Sequence, residues 1–281
     1  MTGLLESAAL QLRVAKRLAP RRGATLGQRL GRLDDRLVFV VGSPRSGTTF
    51  LGESIGSLPG FVDLGEVAPL KAAIPGLSVL EPELAARRIR RILAVARRVG
   101  LVGAIRAVEQ TPEAAFVVQA VRIAYPSAHI VHIVRDGRDV ACSLLDKKWL
   151  SDELAGQDDA GIGYGSYARF WVEPERIEEF PAVSDARRAA WAWRRYVGAV
   201  RTAGIPVLEV RYERMADHPD GVATELAEQL GAPRDALAAA LSRAHGTSVG
   251  RHRQDLSEEQ LADVVAEKVA CLRDLGYLPD A

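Results

Sequence analysis

Residues 38–51, VFVVGSPRSGTTFL, decide the fold of this chain. The apolar, β-branched run at residues 37–41 predicts a buried strand, and a helical pattern begins after a loop rich in Gly, Ser and Thr. We call residues 42–49 the glycine loop. A strand, a glycine loop and a helix in this order favour anion binding, because loop N–H groups converge where the helix dipole is positive.

The glycine loop differs from a nucleoside-triphosphate loop at one position. Gly42 and Gly47 keep the spacing of G-x-x-x-x-G-K-[ST], but Thr48 stands where the lysine belongs, and Arg45 is the only cation in the loop. The sequence therefore predicts a phosphate-type loop that is not a standard ATP or GTP loop. A plain strand–turn–helix corner is the alternative for the same pattern.

Composition limits the class of protein. The chain has 281 residues, 48% of them hydrophobic and 26% charged, with a net charge of +1, so charge gives no argument for nucleic-acid binding. Cys142 and Cys271 are isolated, which argues against a disulfide scaffold and a cysteine metal site and favours a reducing, cytoplasmic location. No apolar run of about 18 residues and no secretory signal pattern occur, so we expect no transmembrane helix.

Alternating strand and helix patterns predict one α/β domain over residues 37–281, with a central parallel sheet covered by helices on both faces. The predicted strands are 37–41, 61–64, 129–134 and 205–210. The predicted helices are 50–58, 83–108, 111–125 with Thr111 as N-cap, one through Ser143 and Leu144, 186–203, and three near 220–230, 234–242 and 257–275. Residues 70–80, with Pro75 and Gly76, are predicted to form a loop.

Two segments fall outside this pattern. Residues 1–36 carry eight Arg or Lys against three acids, which fits either a membrane-peripheral or partner-binding amphipathic helix or a solvated extension packed on the domain. Residues 151–182 form a polar, Gly- and aromatic-rich insertion, which we interpret as a lid over an acceptor site, with disorder as the alternative.

A second anion site is predicted beside the first. Arg135 ends the strand HIVHIV, and Ser143 follows about two helical turns later. Arginine binds phosphate in a bidentate manner, and a serine hydroxyl adds a donor. A structural ion pair of Arg135 with Asp136 or Asp139 is the alternative. Because both predicted anion sites lie at carboxyl ends of parallel strands, we expect a nucleotide with phosphates at two positions.

Four motifs in this order, GSPRSGTTFL, IVRDGRDVACS, VRYERM and SVGRHR, resemble the sulfotransferases that use 3′-phosphoadenosine-5′-phosphosulfate (PAPS). The likeness spans residues 37–277 and is nearest the branch with an arginine in the phosphosulfate loop, as in carbohydrate and protein-tyrosine sulfotransferases and their bacterial relatives. It implies a three-layer P-loop-like fold and PAPS as cofactor, with 3′-phosphoadenosine 5′-phosphate (PAP) as product. It implies these donor-binding residues: Arg45, Ser46, Gly47, Thr48 and Thr49 within loop 43–50, then Arg135, Ser143, Tyr212, Ser248, Gly250 and Arg251.

The resemblance also implies a mechanism. Glu66, in a Gly-Glu segment after the second strand, matches the general base of this branch, with Asp63 as a weaker alternative, and Arg45 contacts the transferred group. Sulfuryl transfer relies on positioning and fixed cations, and the sulfuryl group carries less charge than a terminal phosphate, so we expect no metal. Relatives often have lysine where this chain has Gln110, which leaves Arg45 as the main cation at the transfer centre.

The predicted function is sulfuryl transfer from PAPS to a hydroxyl, or less favourably an amine, of a small-molecule, carbohydrate or lipid acceptor. A P-loop kinase using ATP is the first alternative, and the missing loop lysine argues against it. A non-catalytic nucleotide-binding adaptor at a membrane, using residues 1–36, is the second. No pattern in the sequence indicates nucleic-acid binding, and none indicates an oligomeric state.

Overall fold

The computed structural model describes residues 37–100, 106–147, 149–150 and 172–279. Its centre is a five-stranded sheet in the order β2-β3-β1-β4-β5, in which every neighbouring pair is parallel. The strands are β1 (Leu37–Gly42), β2 (Phe61–Gly65), β3 (Arg106–Glu109), β4 (His129–Val134) and β5 (Leu208–Arg211).

Helices connect the strands and cover the sheet. They are α1 (Thr48–Gly56), α2 (Ala68–Leu77), α3 (Pro82–Gly100), α4 (Val118–Ala124), α5 (Gly137–Lys147), α6 (Asp185–Arg201), α7 (Tyr212–Asp217), α8 (Pro219–Leu230), α9 (Arg234–Leu241), α10 (His252–Asp255) and α11 (Glu258–Asp274). Short 3₁₀ turns lie at Pro112–Val117, Pro174–Arg176, Phe180–Ala182 and Gly246–Ser248. Within the described residues, no helix has the length and apolar character needed to cross a bilayer.

The central strand β1 shows why the sheet has helices on both faces. All six of its residues are buried. Phe39 packs into a core with α2 to α6 and α11, whereas Val40 packs into a second core with α1, α8 and α9. Since successive side chains point to opposite faces, both faces must be covered, as the continuous apolar run predicts. The predicted three-layer α/β fold is confirmed.

Two predictions between β2 and β4 are wrong. Residues 70–80 do not form a loop, because α2 extends to Leu77 and buries Leu70 and Ile74; Pro75 lies in its last turn. The predicted helix 83–108 is correct only as far as α3, since residues 106–109 form β3. A four-residue strand is too short to show a two-residue period beside a long helical pattern.

The remaining elements lie close to their predicted positions. The helix expected at 111–125 begins as a 3₁₀ turn before α4, and the Thr111 side chain makes no cap hydrogen bond. Ser257 and Gln260 form the predicted capping box at the start of α11. The extension 1–36 and most of the predicted lid, residues 151–171, lie outside the described residues.

Candidate active site

The glycine loop turns sharply between β1 and α1. Gly47 is the N-cap of α1 with φ +97°, and Arg45 also has a positive φ, of 69°. A Cβ atom at Gly47 would lie 2.8 Å from the Tyr212 ring, so only glycine lets the loop pack this closely on the end of β5. The loop N–H groups and the N-terminus of α1 therefore meet at the carboxyl edge of the sheet.

Arg135 holds a buried positive charge at the same edge. It is 6% exposed, and its guanidinium carbon lies 4.5 Å from the centre of the Tyr212 ring. Its Nη2 donates to the Ser248 carbonyl at 2.5 Å. No described carboxylate forms an ion pair with Arg135. The neighbouring Asp136 pairs with Arg138 at 2.6 Å, and Asp139 contacts Gly250 and His252. The structural ion pair considered as an alternative is thus absent from the described residues.

Arg45 joins the two predicted anion sites. Its Nε donates to the Ser143 Oγ at 2.9 Å, across the gap between the glycine loop and α5. The Arg135 Nη1 donates to the Arg45 carbonyl at 3.4 Å. The Ser46 hydroxyl is buried, with no hydrogen-bond partner in the described part of the chain. We call Arg45, Arg135, Ser143 and Tyr212 the arginine site. Its two guanidinium groups, together with the unpartnered Ser46 hydroxyl of the glycine loop, suit an anionic ligand.

The segment after α9 closes over the arginine site. The Tyr212 hydroxyl donates to the His245 carbonyl at 3.1 Å and lies 3.5 Å from the Ser248 Oγ. Asp139 lies in the first turn of α5. Its Oδ2 accepts the Gly250 N–H at 2.7 Å, and its Oδ1 lies 2.6 Å from the His252 Nδ1. Burial alone would raise the pKa of Asp139, but the hydrogen bonds from His252 and Gly250 outweigh burial and lower the pKa.

The other predicted donor-binding residues are Arg251, Thr48 and Thr49. Arg251 forms ion pairs with Asp146 at 2.8 Å and Asp255 at 2.6 Å, and no described contact joins its guanidinium to the arginine site. Thr48 is buried and Thr49 is exposed at the start of α1. The donor-binding roles of these three residues, like those of the arginine site, stay predictions.

A cavity of about 580 Å³ lies beside the glycine loop. Its lining comes from α1 and from the segment after α9. The lining residues are Phe50, Glu53, Ser54, Ser242, Arg243, Ala244 and His245. Because His245 also accepts the Tyr212 hydroxyl, the cavity adjoins the arginine site.

Glu66 lies two strands away, just after β2, in a cluster of charged groups. The Lys71 Nζ lies 2.7 Å from the Glu66 Oε2 and 3.8 Å from the Glu113 Oε1. The Lys71 side chain is 6% exposed and that of Glu66 is 36% exposed. One side of the predicted base thus faces solvent, while the other side contacts a buried ammonium group.

Glu109 completes this group at the end of β3. Its Oε1 accepts the Val67 N–H at 3.3 Å, the Thr111 N–H at 3.1 Å and the Thr111 hydroxyl. Complete burial raises the pKa of Glu109 to about 7, with repulsion from Glu66 adding to the rise. We call Glu66, Lys71, Glu109 and Glu113 the carboxylate cluster.

Asp63, the alternative base, is occupied in a turn. Its Oδ1 accepts the Gly65 N–H at 2.7 Å and the Gln110 Nε2 at 3.0 Å. Asp63 is buried. Gln110 therefore supplies a neutral donor that holds this turn, and the geometry favours Glu66 over Asp63 as the accessible carboxylate.

The sequence analysis gives no role to Lys71 or Glu109, and it considers Asp139 only as an ion-pair partner of Arg135. Lys71 falls in a segment predicted as a loop, and its five-residue separation from Glu66 gives no helical pairing signal. Glu109 was placed beyond a helix, because β3 was not recognised. Asp139 in R-D-G-R-D could have been found as the acid in the first turn of α5, but its partners lie more than 100 residues away.

Comparison with known proteins identifies the class. A family model described as the sulfotransferase family matches residues 77–236, which is more than half of the chain. The chain therefore belongs to the sulfotransferase family, whose members are sulfuryl-transfer enzymes. The matched region contains the arginine site apart from Arg45, and it begins after Glu66. A search of curated proteins found no match.

Solved sulfotransferase structures resemble this chain. The sulfotransferase domain of the Synechococcus PCC 7002 olefin synthase is 14% identical, with 87% of this chain and 98% of that chain covered and a TM-score of 0.51, which supports the fold. Sulfotransferase STF9 from Mycobacterium avium is 14% identical over 96% and 84% of the two chains, with a TM-score of 0.48. A sulfotransferase from Alicyclobacillus acidocaldarius is 19% identical over 88% and 99%, with a TM-score of 0.46.

Proposed function

We propose that this sulfotransferase takes its sulfuryl group from PAPS. The observation that carries the proposal is the arginine site. Arg135 is buried without a described carboxylate, and Arg45 contacts Ser143 beside it. A buried guanidinium with no counter-ion is costly, and a bound phosphate would neutralise it. A nucleotide with one phosphate at the glycine loop and a second at Arg135 and Ser143 satisfies both parts of the site.

The surrounding residues suit the rest of that nucleotide. The cavity lined by Phe50 and His245 has room for a purine base and offers an aromatic ring beside it. The buried hydroxyl of Ser46 has no described partner and would donate to a bound oxyanion. We assign the 5′-phosphosulfate to the glycine loop, the 3′-phosphate to Arg135 and Ser143, and a closing role to Tyr212, Ser248 and Gly250.

PAPS supplies an activated sulfuryl group with an adenosine bisphosphate leaving group. In-line transfer moves negative charge onto the bridging and peripheral oxygens, where the loop N–H groups and Arg45 stabilise it without rearrangement. The described residues contain no group of three or more His, Cys, Asp or Glu side chains placed to hold a metal ion. We assign the fixed positive charge of the reaction to Arg45 and to the start of α1.

Glu66 is our candidate for the general base. A hydroxyl acceptor must lose its proton as the sulfur–oxygen bond forms, and a carboxylate at the carboxyl edge of β2 can take that proton. The partial solvent exposure of the Glu66 side chain supports this role. The acceptor class that we propose is a hydroxyl on a small molecule, carbohydrate or lipid, with an amine as the less favoured nucleophile.

Nucleotide binding tests the donor assignment. Calorimetry should give a dissociation constant for PAP at least about 10-fold lower than for AMP or ATP, because a charge-assisted contact to the 3′-phosphate contributes about 1.5–3 kcal/mol. Equal affinities for PAP and AMP would contradict the proposal. Turnover of ATP with Mg²⁺ but not of PAPS would favour a phosphotransferase instead.

The acceptor is tested separately with radiolabelled PAPS. Panels of phenols, saccharides and lipid alcohols, each offered with the full chain, should yield one class that accepts label faster than water does. Transfer to none of the hydroxyl panels but to an amine would overturn the hydroxyl assignment. PAPS that binds and is never turned over, with any acceptor, would favour the non-catalytic alternative.

A further inference from the structure

The carboxylate cluster contains a lysine for which the proposed mechanism gives no role. The Lys71 side chain is 6% exposed, yet it lies on α2, whose other face is open. A lysine normally keeps its ammonium in water, because burying the charge costs several kcal/mol unless a carboxylate pairs with it. Lys71 therefore has to be held in place by something specific.

Glu66 and Glu113 are two such partners. The Lys71 Nζ lies 2.7 Å from the Glu66 Oε2, a charge-assisted hydrogen bond, and 3.8 Å from the Glu113 Oε1. Glu113 is buried at the start of the turn before α4. Lys71 thus bridges a fixed internal carboxylate and the accessible carboxylate that we assign as the base.

The backbone of this bridge is fixed by Glu109. The Glu109 Oε1 accepts two backbone N–H groups. One comes from Val67, the residue after Glu66, and the other from Thr111, two residues before Glu113. The segments that carry the two partners of Lys71 are therefore tied to the same side chain. Such a set of mutually satisfied polar groups fixes orientation more strongly than a single pair does.

The two oxygens of Glu66 have different surroundings. Oε2 accepts from Lys71, and no described residue hydrogen-bonds to Oε1. Because the carboxylate is planar, fixing one oxygen fixes the direction in which the other points. An acceptor proton could reach Oε1 while Lys71 keeps the carboxylate from rotating. Of the charged groups around Glu66, Lys71 attracts it from α2, and Glu109 and Glu113 repel it from β3 and the following turn.

We propose that Lys71 is the positioning residue of Glu66, held between Glu66 and Glu113 so that one carboxylate oxygen is bound and the other is presented to the acceptor. This inference rests on the proposed function, because it assigns a partner to the proposed base. It predicts that Lys71 acts on the rate only through Glu66 and does not contribute to donor binding.

A double-mutant cycle tests the inference. PAP formation from PAPS is measured for Lys71→Met, Glu66→Gln and the double variant, with the best acceptor of the panels or with water. Lys71→Met should lower kcat about 10- to 100-fold, the range of coupling between contacting groups, and should change kcat by less than about twofold when Glu66→Gln is already present. The KM for PAPS and the affinity for PAP should stay within about twofold of wild type.

Conservative and control variants separate positioning from folding. Lys71→Arg should recover at least about threefold of the lost kcat, since its guanidinium keeps the positive charge and can donate to the same oxygen. Lys268 is the matched control, because it is also buried, at 1% exposed, and packs 4.8 Å from the Trp193 ring centre. Lys268→Met removes a buried ammonium of the same kind without touching Glu66, so any effect on kcat should be the same with and without Glu66→Gln.

Three results would overturn the inference. These are a Lys71→Met variant with wild-type kcat, an equal loss of kcat in the presence and absence of Glu66→Gln, or no recovery with Lys71→Arg. If Lys71→Met fails to fold, Glu113→Gln takes its place, with a smaller loss of kcat that must likewise vanish with Glu66→Gln. Wild-type protein that does not bind PAP would instead refute the proposed function, and binding is measured first for that reason.

Discussion

The two ends of the carboxyl edge of the sheet carry opposite charges, and they differ in how those charges are paired. At β1, β4 and β5, the arginine site brings together two guanidinium groups, and neither forms an ion pair with a described carboxylate. At β2 and β3, the carboxylate cluster brings together three carboxylates and a lysine, and the lysine lies between two of the acids. Among the described residues, the positive end therefore has no paired carboxylate, whereas Lys71 pairs with acids at the negative end.

This difference supports our proposal that the arginine site is the donor side. A buried cation that pairs with no described carboxylate would be neutralised by a phosphate of PAP. The carboxylate cluster needs no external cation, because Lys71 already pairs with Glu66. It can instead take up a proton from a neutral acceptor, as a general base does. Donor and acceptor sides can therefore be separated by mutation.

The largest effect should come from Glu66. Glu66→Gln removes the proposed base without removing its shape, so turnover of PAPS should fall about 100- to 10,000-fold, the contribution of general base catalysis. The affinity for PAP should not change, since the arginine site lies two strands away. The matched control is Glu83→Gln, an exposed acid at the start of α3, which should retain wild-type turnover. A loss of PAP affinity in Glu66→Gln would contradict the assignment of donor binding and proton transfer to different ends of the sheet.

Arg135 should give the next largest effect, on binding and not on the base. Arg135→Ala removes a buried charge-assisted contact, so PAP affinity should fall about 10- to 100-fold while AMP affinity changes by less than about threefold. Calorimetry of both nucleotides measures this. Arg211→Ala is a suitable control, because Arg211 also ends a strand and packs on a tyrosine, Tyr277, outside the arginine site. Equal losses of affinity for PAP and AMP would mean that Arg135 does not bind the second phosphate.

A smaller effect is expected at Ser143. Ser143→Ala removes one neutral hydroxyl and frees the Nε of Arg45, so PAP affinity should fall about two- to tenfold, the usual range for one hydrogen bond. The measurement is again calorimetry with PAP and AMP. Unchanged affinity for both would place the second phosphate away from α5. Ser57→Ala is the control, because the Ser57 hydroxyl donates to the Ser54 carbonyl near the end of α1 and not to a residue of the arginine site.

The smallest effect concerns the segment that closes the arginine site. Asp139→Asn weakens the hydrogen bonds to Gly250 and His252 and should lower the melting temperature by about 2–4 °C at pH 7, as a loss of about 1 kcal/mol would. Because the folded-state pKa of Asp139 lies below its usual 3.8, its stabilisation is complete above pH 3.8 and is lost as the pH falls through the lowered value. Urea unfolding of both proteins from pH 3 to pH 7 checks this. A stability difference that grows as the pH falls would contradict it.

Local patterns predicted most of the fold. The run before Gly42 and the run HIVHIV were identified as buried parallel strands because a strand covered on both faces is apolar at every position. β3 was missed because four residues carry almost no periodic signal, and α2 because Pro75 reads as a loop residue although a proline in the last turn leaves most of the helix intact.

The glycine loop, its missing lysine and the Arg135–Ser143 spacing can be identified from the sequence alone, since each depends on residues a few positions apart. Which charged groups contact each other depends on the tertiary structure. Arg45 contacts Ser143 across 98 positions, Gly250 contacts Asp139 across 111, and Lys71 bridges Glu66 and Glu113. Parallel strands bring their carboxyl ends to one edge whatever the length of chain between them, so the charge of each end of that edge is a property of the folded sheet.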